Sequence, residues 1–175
     1  MANIGEASDN FTRLTQQLPA ALAALIQSQR AEVEDYITDQ LYSGVDGNEL
    51  DLSPNYLNDP YFNRYGKRRD RAARGYMAWK MRITPPVRSW LGLEPRKAIV
   101  PNLYINGYYH SKIRANETAG GLRIEGTASF SAEIEQKYGR DIYKVSPTAV
   151  AYFIREHAAP FLTRALNPRG YELRV

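Results

Sequence analysis

The chain has 175 residues, 43% hydrophobic and 24% charged, which suits one soluble domain large enough to bury its own core. It contains no Cys, which excludes disulfides, thiolate nucleophiles and Cys-ligated metals. The net charge of +4 is uneven: residues 64–97 hold eleven Lys/Arg against two acids, and the remainder twelve against seventeen. Such polarity suits self-complementary assembly at least as well as polyanion binding.

The opening, "MANIGEASDN", is polar and lacks a basic leader region, and "PAALAALI" is far too short to span a bilayer. A soluble product made inside the cell, with no membrane partner, is the expectation. Phe11, Leu14 and Leu18 mark a short helical stripe, and Pro19 suits the first turn of a new helix. Leu22, Leu25, Ile26, Gln29, Val33, Ile37 and Leu41 then share one face, and Gly44 supplies a stop. This predicts a helix over 19–43, about 37 Å long at about 1.5 Å per residue.

Residues 44–62 are dense in Gly, Asp, Asn and Pro and read as turns and extended chain. Within them "DGNELD" (46–51) lacks the ligand ladder and closing Glu of a calcium loop, so a turn is the better reading. Next comes "RYGKRRDRAARGY" (64–76), with six cations in thirteen positions and one acid, Asp70. Gly66 and Gly75 weaken a continuous helix there, although about three turns fit "RRDRAARGYMAWKMR". Pro85, Pro86 and Pro95 make 84–97 a stiff connector around Trp90 and Leu91.

From Ile99 the pattern alternates. A hairpin is expected, Lys112–Thr118 with Leu122–Thr127, around the turn "AGG". A short helix over 129–138 would bury Phe130, Ile134 and Tyr138. Ser146 is a good N-cap with Pro147 behind it. The closing helix would carry Val150, Phe153, Ile154, Phe161, Leu162 and Ala165 inward, kinked at Pro160. The tail "NPRGYELRV" reads as a strand or an arm.

Chemistry-bearing motifs are scarce. His110 and His157 lie far apart, with no carboxylate or second His at ligand spacing on the same face. There is no phosphate loop, no nucleophile elbow and no pair of carboxylates in apolar sequence. The expectation is no enzyme, no metal and no cofactor. The candidate contact residues are Arg64, Tyr65, Lys67, Arg68, Arg69, Arg71, Arg74, Tyr76 and Trp79, cations interleaved with aromatic rings. That mixture serves phosphate neutralisation with stacking, or a protein interface with aromatic anchors. No nucleic-acid reader motif accompanies it.

The order of segments resembles a known family. "DQLYSGVDGNEL" (39–50), a Tyr- and Arg-rich loop, "INGYYHSKI" (105–113), "AEIEQKYGRDIYKVSP" (132–147) and "REHAAPFLTRAL" (155–166) are together similar to small virion proteins of tailed phages. The likeness is to neck or tail-completion proteins of Bacteroidetes-infecting and crAss-like phages. It implies that Gly107, Tyr109 and Ser111 form the turn opening the sheet. It places Tyr138, Gly139, Asp141 and Ile142 between the late helices, and Pro160, Phe161, Leu162 and Ala165 on the closing helix. Asn106 departs from the Thr usual in that family.

The expected fold is α+β, one domain over 1–175: helical 1–43, an extended basic insertion 44–97, and sheet plus C-terminal helices in 98–175. The expected function is a structural virion protein, a head–tail connector, neck or tail-completion ring made in the host bacterial cytoplasm. Its partners would be portal, connector or tail proteins and copies of itself, with possible contact to packaged DNA. The alternative is a nucleic-acid-binding accessory protein using 64–82.

Overall fold

The structure is a computed structural model and describes residues 4–166, without the side chains at 4–11, 13, 14 and 166. The expected arm or strand at 167–175 lies outside the described residues, as do the side chains of Phe11 and Leu14 in the first stripe. The fold is α+β, with one antiparallel two-stranded sheet among the described residues.

Helix α1 spans Ile4–Ser28 and α2 Arg30–Tyr42. The single helix expected over 19–43 is therefore corrected to parts of two, and Pro19 sits inside α1 rather than at a start. The carbonyl that Pro19 leaves without a donor belongs to Thr15, an exposed residue, where water can satisfy it. The break falls at Gln29 (φ −99°, ψ 20°). Just before it, Gln27 Nε2 donates to Thr118 O at 2.8 Å, tying α1 to the hairpin tip.

Strand β1 (Ile113–Thr118) pairs with β2 (Gly121–Gly126), Ala115 opposite Ile124. The hairpin matches the expected one within a residue. Ile113 and Ala115 turn inward and are buried, while Arg114 and Asn116 face out, the alternation a half-covered strand requires. Helix α2 lies along the free edge of β1, where Glu34 Oε1 accepts the Ala115 amide at 2.9 Å and blunts that edge.

The core joins α2 to distant chain. Ile37 and Leu41 pack with Leu52, Val100, Tyr109, Ile113, Ile142 and Tyr143. Gln40, wholly buried among them, donates from Nε2 to Ile142 O (3.3 Å) and Lys144 O (2.8 Å) and accepts the Ser146 amide on Oε1 (3.3 Å). A second cluster groups Val33, Tyr36, Leu91 and Ala149. Leu91 anchors the proline-rich connector as expected, and the half-exposed Trp90 lays its ring against Tyr36 and Tyr152 at centroid distances of 5.7 and 5.2 Å.

The turn at 46–51 is closed by Asp46, whose Oδ1 accepts the amides of Asn48 (2.8 Å) and Leu50 (3.1 Å). Gly47 there lies so close to the Lys144 backbone that any β-carbon would collide with it. Beyond Asp59 the insertion is not extended, which corrects the reading of 44–97: Pro60–Arg68 is a 3₁₀ segment and α3 spans Arg69–Ile83.

Helix α4 (Ser131–Tyr138) starts after Phe130, whose non-helical φ of −106° and ψ of 16° take it off the helical stripe. Phe130 is thus 39% exposed, not buried, while Ile134 and Tyr138 pack on the core. Ser146 caps α5 (Pro147–Phe153) by accepting the Ala149 amide at 3.2 Å. A π turn, Ile154–Ala158, joins α5 to α6 (Ala159–Leu166). Pro160 offers no N–H to the preceding turn, which widens until the Ala159 amide reaches Ile154 O. Val150 and Ile154, expected inside, are 44% and 53% exposed, because α5 turns Ala149, Tyr152 and Phe153 towards Val33 and Tyr36.

Candidate functional site, a basic-aromatic helical arm over a cavity

The arm, residues 60–83, is built by local signals. Asp59 accepts the Tyr61 amide at 2.9 Å and Pro60 opens the 3₁₀ segment. Gly66, at φ 50° and ψ −124°, makes the bend into α3, a conformation essentially restricted to glycine. Arg69 locks the bend: its Nε donates to Asn63 Oδ1 (2.9 Å) and its Nη2 to Leu57 O (2.6 Å), with Asp70 alongside at 3.2 Å. Arg69 therefore holds the arm together instead of presenting itself.

The inner face of the arm is aromatic. Phe62 and Ala73 are buried, and the Tyr76 ring meets Tyr56, Phe62 and Trp79 at 5.3, 5.7 and 5.2 Å. Tyr76 thus fastens the arm to the body through Tyr56, and half-buried Trp79 packs on the Tyr76 ring within the arm. The outer face carries the remaining candidates. Arg64 lies 3.7 Å above the Tyr61 ring and 5.0 Å from that of Tyr65, which is 43% exposed. Lys67, Arg68, Arg71 and Arg74 are exposed. The structure separates the nine candidates into an outward group of six and an inward group of three.

Beneath the arm lies a cavity of about 680 Å³ that residue spacing did not reveal. One wall is Tyr61, Phe62, Tyr76 and Lys80 from the arm; the other is Tyr104, Ile105, Tyr108, Phe130 and Tyr138. Tyr61, Ile105, Tyr108 and Phe130 are all exposed to solvent as well, so the mouth is apolar. Burial pushes the phenols of Tyr56, Tyr76 and Tyr138 upward, keeping them neutral. Lys137 pairs with Asp59 at 2.5 Å on the rim.

Lys80 is 2% exposed and donates its ammonium to Tyr104 O. Burial, then the repelling charge of Arg96, lowers it to about 8, so it remains largely charged at pH 7. Its spacing from Ala73 and Tyr76 is the signal that could have found it: a lysine on the inward stripe of a helix. Nearby, buried Arg96 donates to Thr84 O (2.7 Å) and Val100 O (3.1 Å). Buried His110 is next to the same segment, its Nε2–H on Asn102 O at 3.0 Å, and burial lowers it to about 4.

Among the described residues no group of three His, Asp or Glu is placed to hold a metal ion, and no helix is long and apolar enough to cross a membrane. Comparison with protein-family models, with curated proteins and with solved structures finds no match.

Proposed function

We propose that this chain is a structural protein of a tailed-phage virion, a head–tail connector, neck or tail-completion ring component that acts by assembly and catalyses no reaction. In this reading α2, the hairpin and the C-terminal helices form the body of the subunit. The arm docks on a neighbouring virion protein, either a second copy or a portal, connector or tail protein. The observation that carries the reading is the two-sided arm. Its inner aromatics are committed to the body, while Arg64, Tyr65, Lys67, Arg68, Arg71 and Arg74 stand outward on a locked scaffold. The resemblance in segment order supplies the virion context.

The test compares two variants for incorporation into particles. Tyr65→Ala removes an exposed anchor; Arg68→Gln with Arg71→Gln removes two exposed charges. An interface with an aromatic anchor loses more from the first, since rim charges chiefly alter association rate. Arg69 and Tyr76 are unsuitable here, because changing either loosens the arm itself. DNA binding is the rival reading. The five outward cations would, as phosphate contacts, give log affinity a slope against log salt of about −4.5 on any sequence. That slope, with incorporation lost in the Gln pair and intact in Tyr65→Ala, would overturn the protein-docking reading.

A further inference from the structure

We propose that the cavity beneath the arm is a binding site for a carboxylate carried on an aromatic or branched aliphatic body, with Lys80 as its counter-ion. The inference stands on the cavity alone and does not depend on the virion reading. Lys80 is among the most buried side chains of the protein, yet among the described residues no carboxylate pairs with it. Its acceptor is one backbone carbonyl, Tyr104 O, and the neighbouring charge, Arg96, repels it. A buried ammonium without a counter-charge is strongly disfavoured, and a purely structural role at this position would be better served by Met or Leu.

The surroundings specify the rest of the ligand. The cavity that Lys80 helps to line is otherwise walled by rings and aliphatic side chains, Tyr104, Ile105, Tyr108, Phe130 and Ile134 among them, with room for a body of drug-fragment size. Acids on the lining are few: Asp59 is already neutralised by Lys137, and Glu133 is the other. Lys112, 5.5 Å from the Tyr108 ring, adds positive charge near the mouth. An apolar anion fits this site; an apolar cation or a highly hydrated phosphate does not.

The source of the carboxylate can be a free acid or an Asp or Glu side chain within an apolar segment of another polypeptide. The experiment uses both. Full-length protein is titrated with 4-phenylbutyrate, with its neutral amide, and with a blocked tetrapeptide of sequence Leu-Phe-Asp-Leu, by calorimetry and by thermal shift. The expected result is that at least one acid binds and raises the melting temperature, and that the butyrate binds at least tenfold more tightly than its amide if the free acid is the source. Binding of the peptide alone, lost when its Asp becomes Asn, assigns the site to a polypeptide. Lys80→Met should fold at least as stably as the parent and abolish the preference for acid over neutral analogue. Tyr108→Ala, at an exposed rim position, should weaken acid and amide alike. Failure of both acids to bind, equal binding of acid and neutral analogue to the parent, or a preference surviving Lys80→Met would each overturn the proposal.

Discussion

His110 shows how one side chain ties stability to pH. Its ring is buried edge-on among Tyr42, Tyr104 and Tyr109 and gives its one proton-bearing nitrogen to Asn102 O. Burial, reinforced by the charge of Lys80 and opposed by the Asn102 hydrogen bond, lowers its folded value to about 4 from an ordinary 6.5. The unfolded chain therefore binds the proton first as pH falls. The stability that neutral His110 allows is complete above 6.5 and is lost progressively between 6.5 and 4. From pH 7.5 to pH 5 the loss should be about 2 kcal/mol. Urea unfolding of the parent and of His110→Gln at both pH values isolates it. The parent should lose that much more than the variant, and equal losses would refute the assignment.

At the scale of elements, α2 is the spine of the core and α5 lies at its margin. Leu41→Ala removes a wholly buried side chain and should cost about 2–5 kcal/mol, whereas Ile154→Ala, half exposed on the π turn, should change stability by less than about 0.5 kcal/mol. Thermal unfolding of the two variants checks the contrast. Sequence periodicity located α2 because Val33, Ile37 and Leu41 recur at helical spacing and all meet the core. It located the hairpin because Ile113 and Ala115 alternate with polar neighbours. It could not see the break at Gln29, which is neither Gly nor Pro and makes no side-chain cap, and beside which Gln27 reaches across to the hairpin tip. It assigned Val150 and Ile154 to the interior because spacing defines a stripe but not its width. In the arm, charge density was legible and the division of labour was not. That Arg69 turns back onto Leu57 and Asn63 is a consequence of the bend at Gly66, and only the folded bend brings them together. The cavity was illegible for the same reason, since its walls come from segments that no local pattern relates.

For the molecule as a whole, residues 64–97 carry a positive excess and the rest of the chain a negative one, so two copies of the chain can meet through oppositely charged segments. Contacts between unlike regions of two copies are head-to-tail, and these close into rings when the rotation permits. Self-association in sedimentation runs is expected to be weaker at 0.5 M than at 0.05 M salt, as the screening length falls from about 14 Å to about 4 Å. A chain that is strictly monomeric at both ionic strengths, and at every concentration up to the solubility limit, would count against a homomeric ring.

Gln40 gives the fold a timetable. Its acceptors at Ile142 and Lys144 lie 102 and 104 residues downstream. At a synthesis rate of about 5–20 residues per second, roughly 5–20 s separate the emergence of the amide from that of the carbonyls. Throughout that interval the Val33–Ile37–Leu41 stripe of the nascent chain lacks most of its partners, which arrive with Val100, Ile113 and Ile142. A ribosome paused anywhere in that stretch therefore holds an amphipathic helix with its apolar side uncovered. The chaperones that meet the growing chain should engage it there, and release it only after the segment around Lys144 has left the exit tunnel.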